Sequence, residues 1–457
     1  RADVNQMKIM KISVEPEIFL SLSGGAVEKA PNRHFTASLS GYVSEEEEKK
    51  ILRHGIEEIS ILGILEDASQ VVLFKGMIAD ANVQYRGQTR FLTIHAVSYT
   101  VLLDQKRRKR VFQGQNQTYR QIVDEVLKHA VHTGMIYMGE RQKKTDGLVV
   151  QYQESDWEFL RRLAAKQGMP LVADCQNNYP CFYFGIPERI RYHELSCRNK
   201  RMRQTGKAGD TQHAECLVHS RDYLEICDLV ALNERKWRVM GVFLEQQQGE
   251  IIIRYQLEEE RYVPVDLPGH NPAIKGLSLT ATVKAVEDAR VRLKIHCEQD
   301  LDWGDGLWYD YATVYTEPDG TGWYCMPEVG EQVRLYFPDW YEKHAYVVSH
   351  VHREGNGTRL DPDRKSFRTR YGKELYFTPE EIVITNNNGL SVSLHDKEGI
   401  SIQSSQGIFI RSDSMVDIQS GEEIRIQGNE GVSIQQNQNI LMIRDGIYEK
   451  GRNIEHL

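Results

Sequence analysis

The 457-residue chain contains no run of about 18 apolar residues, the length needed for a membrane-spanning helix. It has no excess of positive charge: 57 Lys and Arg stand against 65 Asp and Glu, for a net charge of −8 and a pI near 6.1. A nucleic-acid-binding surface would require the opposite balance. Cysteine is scarce and odd in number. Cys175, Cys181, Cys197, Cys216, Cys227, Cys297 and Cys325 form no CxxC pair, and they read as reduced thiols of a protein made in a cytosol. A Cys175–Cys181 bridge is the alternative to that reading. The first residues, RADVNQMKIMKISVEPEIF, lack the apolar core of a secretory signal. No GxSxG, HExxH or P-loop motif is present, and no Cys/His nucleophile pair is placed.

What the chain does have is a period of eight residues toward its C-terminus. The pairs Ile400/Ile402, Ile408/Ile410, Val416/Ile418, Ile424/Ile426, Val432/Ile434 and Ile440/Met442 are each spaced i, i+2. The polar intervals QSSQG, RSDSM, QSGEE, QGNEG and QQNQN separate them. Spacing of i, i+2 is strand periodicity and puts both apolar residues on one face. Ser401, Asp417, Arg425 and Ser433 supply the polar face, and Phe409 and Leu441 break the rule. Upstream, Ile382/Ile384 and Leu390/Val392 continue the phase, with a bulged turn expected at 395–398 to absorb two extra residues. Two inward residues per strand cannot make a core alone, and a triangular solenoid of one chain would have only about two coils, fewer than the three or so repeats it needs. Three chains, each supplying one side of a triangle, would turn every octad into a full layer with Ile and Val on the axis. They would also pair every strand edge.

The remainder reads as mainly β and multidomain. Residues 1–112 are expected to form a first barrel and 113–189 an α/β helical insertion, with a second barrel at 190–264. A small barrel with its preceding linker follows at 265–354, then a linker at 355–371 and the octad needle at 372–457. Two helices are marked by the capping boxes Thr118-x-x-Gln121 and Ser155-x-x-Glu158. Ile122, Val123, Val126 and Leu127 form the stripe of the first, and Trp157, Leu160, Leu163 and Ala164 that of the second. Gly168 and Pro170 stop the second helix. The run SEEEEKK reads as a solvated loop or helix start, and KRRKR at 106–110 as a solvated strand end. Five short strands between 274 and 354 suggest a Greek-key barrel of OB type.

RFLTIHAVSYTVLLDQKRRKRVFQGQ resembles the first hub barrel, and its exit, of the VgrG and late-control gene D family, the hub-and-spike proteins of contractile injection systems. VVQYQESDWEFLRRLAAKQGMPLV is similar to that family's most recognisable helix. RVRLKIHCEQD followed by WYCMPEVGEQVRLYF resembles its spike OB domain, and the octads resemble its triple-stranded β-helix needle. The resemblance covers nearly the whole chain. It implies a homotrimer in which two hub barrels per chain match a hexameric tube, with baseplate proteins as further partners. The needle would perforate a target envelope, its apex blunt or capped by a separate tip protein. The chain would be made in the bacterial cytoplasm and delivered outside the cell as part of a contractile particle. No cofactor and no nucleic-acid partner is implied. Some relatives carry a lysozyme domain between barrel and needle, or an effector after it. Here the first gap is under about 20 residues and about 15 follow the last octad, so a non-enzymatic protein is expected.

Two alternatives compete with that reading. A polysaccharide-degrading β-helix enzyme would need a groove with paired carboxylates. Asp413, Asp417, Glu422 and Glu423 are scattered and do not recur as a constellation. A receptor-binding fibre would carry its knob at the distal end. Metal sites have weak support. His350 and His352 share a strand face without a third ligand, His129 and His132 read as a polar helix face, and His456 stands alone near the end. DLDWGDGLWYD at 300–310 has calcium-loop composition but Tyr311 where the loop needs Glu.

Overall fold

The computed structural model describes residues 8–54, 57–205, 213–247, 249–263, 268–298, 306–317, 319, 321–350 and 361–454. It divides into two units, 1–351 and 352–457, and each is described by itself.

The first unit opens with alternating apolar and polar residues that build β1 (Ile9–Glu15), β2 (Ser21–Lys29) and β3 (Thr36–Val43). The acidic run becomes a short helix, α1 (Glu45–Lys49), capped by the Ser44 side chain. β4 (Glu58–Leu65), β5 (Gln70–Arg86) and β6 (Thr89–Ser98) follow. β7 (Arg108–Phe112) ends the first segment, and the insertion contributes α2 (Tyr119–Lys128), β8 (Gly134–Tyr137), β9 (Val149–Glu154), α3 (Asp156–Lys166), β10 (Leu171–Asp174) and β11 (Cys181–Phe184). Both expected capping boxes are formed, and Gly168 adopts the left-handed φ of +72° that ends α3. Then come β12 (Tyr192–Glu194), β13 (Asn199–Thr205), β14 (His213–Ser220), β15 (Leu229–Leu232), β16 (Arg235–Gln247) and β17 (Glu250–Glu259).

The two outer segments share one 12-stranded sheet of order β1-β4-β5-β6-β3-β2-β16-β17-β14-β13, with β15 on β16 and β12 on β15. The join is antiparallel pairing of β2 with β16, Lys29 opposite Val242. The boundaries at 112 and 190 therefore separate stretches of chain, not hydrogen-bonded sheets. Joining the halves gives each of these two strands a partner on both sides. β7, at the end of the first segment, pairs with β9 of the insertion.

Lys29 tightens the same seam. Its side chain is 1% exposed and its ammonium lies 2.6 Å from Glu225 and 3.2 Å from the Tyr223 hydroxyl. Burial works against the charge, but Cys175, Glu225 and Tyr223 outweigh it and hold the pKa well above its usual range. The contribution to stability is complete at neutral pH and is lost only as the pH rises through that raised value.

The barrel that follows consists of β18 (Ser278–Glu287), β19 (Arg290–Ile295), β20 (Trp308–Asp310), β21 (Gln332–Tyr336) and β22 (Tyr346–Ser349). Their order is β20-β19-β18-β21-β22, and a bridge between Tyr311 and Val347 brings the two ends together. This five-stranded arrangement is the expected small OB barrel. The ribbon β7–β9 serves two cores. Phe112 and Val149 enter the hub core, while Val111, Leu148 and Val150 enter the core of the OB barrel.

The second unit holds an antiparallel meander of β23 (Lys365–Arg368), β24 (Glu374–Phe377), β25 (Glu381–Thr385), β26 (Leu390–His395) and β27 (Gly399–Ser404). Residues 405–431 form no strand. A second meander comprises β28 (Val432–Gln436), β29 (Asn439–Ile443) and β30 (Ile447–Lys450).

Replacing Lys29 by Ala leaves Glu225 and Tyr223 without their buried cation. Removing one partner of a buried pair costs about 3–5 kcal/mol. The hub is expected to unfold on the order of 10 °C lower in thermal unfolding followed by circular dichroism.

Candidate assembly surface of the octad segment

Register fixes what the first meander presents. Phe367 faces Leu375, Leu375 faces Ile384, Ile384 faces Val392 and Val392 faces Ile402. Phe377, Ile382, Leu394 and Ile400 form a parallel row on the same face. The opposite face carries Ser366, Tyr376, Ser391, Ser393, Ser401 and Gln403, so the sheet is apolar on one side and mainly polar on the other. Val392 and Leu394, and not Leu390 and Val392, stand opposite Ile382/Ile384 and Ile400/Ile402. Leu390 is shifted along the strand to face Ser404.

Among the described residues of this unit nothing covers the apolar face. Ile400 is 73% exposed, and Ile384, Ile402 and Leu394 are also exposed. Phe367, Leu375, Ile384, Val392, Ile402 and Ile408 line an open concavity of about 640 Å³. The octads beyond repeat the pattern without even a neighbouring strand. Ile408, Ile410, Val416, Ile418, Ile424 and Ile426 are all more than half exposed. Each forgoes roughly 1.5–3 kcal/mol relative to burial. A contiguous apolar surface of this kind marks a site that another surface covers.

In the second meander Val432 faces Ile443 and Ile434 faces Leu441, so these four share a side. Ile440 and Met442 stand on the other side with Gln435 and Ser433. For this last octad the structure departs from the simple phase: Leu441 and Ile443, rather than Ile440 and Met442, align with Val432 and Ile434. The tight hairpin at 437–438 sets that register, Gln436 facing Asn439 with Asn437 at φ +51°.

The other sequence candidates are not brought together. Among the described residues no group of three or more His, Cys, Asp or Glu could hold a metal. His352, His456 and residues 299–305 of the acidic loop lie outside the described residues. His129 caps the end of α2 near Glu125, and the His132 ring packs at a tilt against Tyr179, with centroids 4.9 Å apart. Cys175 and Cys181 are free thiols. Asp413, Asp417, Glu422 and Glu423 are exposed along the unpaired stretch, with Asp417 bonded to Gln419 and Glu423 to Arg425. The run KRRKR is not wholly solvated: Arg110 is 1% exposed and paired with Asp156 and Gln151.

One constellation escaped the sequence because its members are far apart. His34 Nδ1 lies 2.7 Å from Thr100 Oγ1, and His34 Nε2 lies 2.6 Å from Asp104. This resembles a nucleophile, base and acid in line. Thr100 is 0% exposed, so no substrate can reach its hydroxyl. The cluster is a tie: Asp104 also accepts from the Ser155 hydroxyl, which caps α3.

Residues 62–174 match the phage tail baseplate hub (GPD) family, and residues 279–352 match the type VI secretion system/phage-baseplate injector OB domain. The two matches follow one another in that order along the chain. Solved structures agree with the fold. The E. coli c3393 protein is described as a type VI secretion component similar in structure to the T4 bacteriophage tail proteins gp27 and gp5. It superposes at TM-score 0.54 and 15% identity over 74% of this chain and 99% of its own. A chain of the Francisella PdpA-VgrG complex, half-lidded, superposes at TM-score 0.57 and 9% identity over 88% of both chains. No curated protein sequence matches the chain. Neither matched family is a catalytic one.

Replacing Ile384 by Asp places a carboxylate in the middle of the apolar face. If that face is covered in the assembled protein, the octad segment should lose several kcal/mol of stability in a denaturant titration. Unchanged stability would mean that the face is bathed in water.

Proposed function

We propose that this chain is the central hub and spike of a contractile injection device, of phage-tail, tailocin or type VI-like kind. Three copies would assemble. The hub, two barrel-like halves per chain at 1–112 and 190–264 around the insertion at 113–189, would meet a hexameric tube. The OB domain at 265–354 would lead through the linker at 355–371 into a needle at 372–457, which crosses the target envelope when the device fires. Its role would be mechanical, not catalytic.

The observation that carries this reading is the uncovered apolar face of the octad segment, following an injector OB domain in the chain. Strands with exposed Ile and Val and unpaired backbone need partners. Identical copies supply them in register, because every octad finds the same octad beside it. In that assembly Ile400, Ile402, Ile408, Ile410, Val416, Ile418, Ile424, Ile426, Val432 and Ile434 would fill the axis. Ile440 and Met442 would complete the axis at the last octad, as the repeat expects. A dry axis of β-branched side chains packs densely and resists bending.

Light scattering tests the proposal directly. The full chain is expected at three times its monomer mass, and removal of residues 372–457 should abolish the trimer or weaken it. A monomer in both forms would end the reading. Ile418→Asp would bring three carboxylates onto the axis and should lower the melting temperature of the trimer sharply. If that variant melts with the wild type, the assigned phase is wrong.

A further inference from the structure

The hub and the OB barrel share more than the chain that joins them. Besides the two-faced ribbon β7–β9, a buried ion cluster spans their boundary. Glu342, in the turn before β22, is 5% exposed. One carboxylate oxygen accepts from Arg162 Nη1 at 3.0 Å and the other from Lys166 at 2.7 Å, both cations standing on α3. Arg162 is itself buried. Its remaining donors go to the Glu154 carboxylate at 2.7 and 2.8 Å and to the Val150 carbonyl at 2.6 Å, both on β9. Burial pushes the Glu342 carboxyl up, but Arg162 and Lys166 more than reverse this and keep it ionised below the usual carboxylate range.

We infer that the ribbon and the Glu342 cluster form a rigid joint, which holds the OB barrel at a fixed angle to the hub and leaves no hinge between them. The inference rests on the hub-and-spike reading for its purpose: thrust on the hub would reach the OB barrel undiminished by bending. Interfaces between domains are ordinarily polar and permit motion. Here one ribbon is packed into both cores, and close-packed interiors transmit strain. A swing of the barrel by a few ångström would pull Glu342 from both cations and leave a buried charge unpaired, which is strongly unfavourable. The geometry therefore has one minimum rather than a range.

Hydrogen exchange on the full-length protein tests the joint. In the wild type the amides of Leu148–Glu154 are expected to exchange as slowly as those of the central OB strand Ser278–Glu287. In Glu342→Ala the ribbon amides should exchange at least tenfold faster, while Thr89–Ser98 in the hub stays unchanged. Glu342→Gln keeps the shape of the side chain and serves if the Ala variant does not fold; it should accelerate the ribbon in the same place by a smaller factor. Wild-type ribbon amides that exchange as fast as surface loops would overturn the joint. So would a ribbon unmoved by both substitutions. The outcome is separable from the assembly reading. A monomeric mass with a slow ribbon removes the spike and leaves the joint, whereas a trimer with a fast ribbon removes the joint alone.

Discussion

A β-sheet with one apolar face must have that face covered, and the two units of this chain meet the demand in different ways. In the first unit the cover is internal. The hub sheet packs its apolar side against α2, α3 and the insertion, with Leu92, Ile94, Phe159, Leu160 and Ile253 all fully buried in one core. Among the described residues of the second unit no such cover exists. The meander at 365–404 turns a whole apolar side outward, and 405–431 lacks even the neighbouring strands that would pair its backbone. The first unit has the means to fold as a monomer, and the second has the composition of half an interface.

That contrast explains what could be read from the sequence. Octads are legible because their signal is local and repeated, and the capping boxes of α2 and α3 because they span four residues. The five strands of the OB barrel are legible for the same reason. The hub sheet is not, because its decisive contact joins β2 to β16 across most of the unit, and neither strand's pattern names its partner. The dual allegiance of β7–β9 is hidden too. Val149 and Val150 look alike in sequence, and only the fold sends one into each core. At the last octad the hairpin sets Leu441 and Ile443 beside Ile434 and Val432 in this sheet. Asn437, at positive φ, sits in the tight turn that fixes this register, and a shift of one residue would exchange the faces.

Charged residues in the interior follow a rule that composition cannot show. Lys29 with Glu225 joins the first hub segment to the second, and Arg110 with Asp156 joins β7 to α3. His34 with Asp104 and Ser155 ties the end of the first hub segment to the cap of α3, and Arg162 with Glu342 joins α3 to the OB barrel. Each connects elements distant along the chain. Buried pairs are poor sources of net stability, since desolvation offsets their attraction. What they supply is discrimination: an apolar contact tolerates sliding, whereas a buried pair does not.

The octad stretch 405–431 carries no such pair among the described residues. Its charges, Asp413, Asp417, Glu422, Glu423 and Arg425, are exposed and bond only near neighbours in sequence. Alignment of identical copies does not need a specifying ion pair, because the repeat itself supplies the register, and a slip of one octad would leave unpaired layers at both ends. Each layer lost costs the burial of its Ile or Val residues, so the penalty for slipping grows with the slip. A long apolar repeat can thus fix its own alignment by length alone. The hub has no repeat to align it and depends on buried ions at its seams.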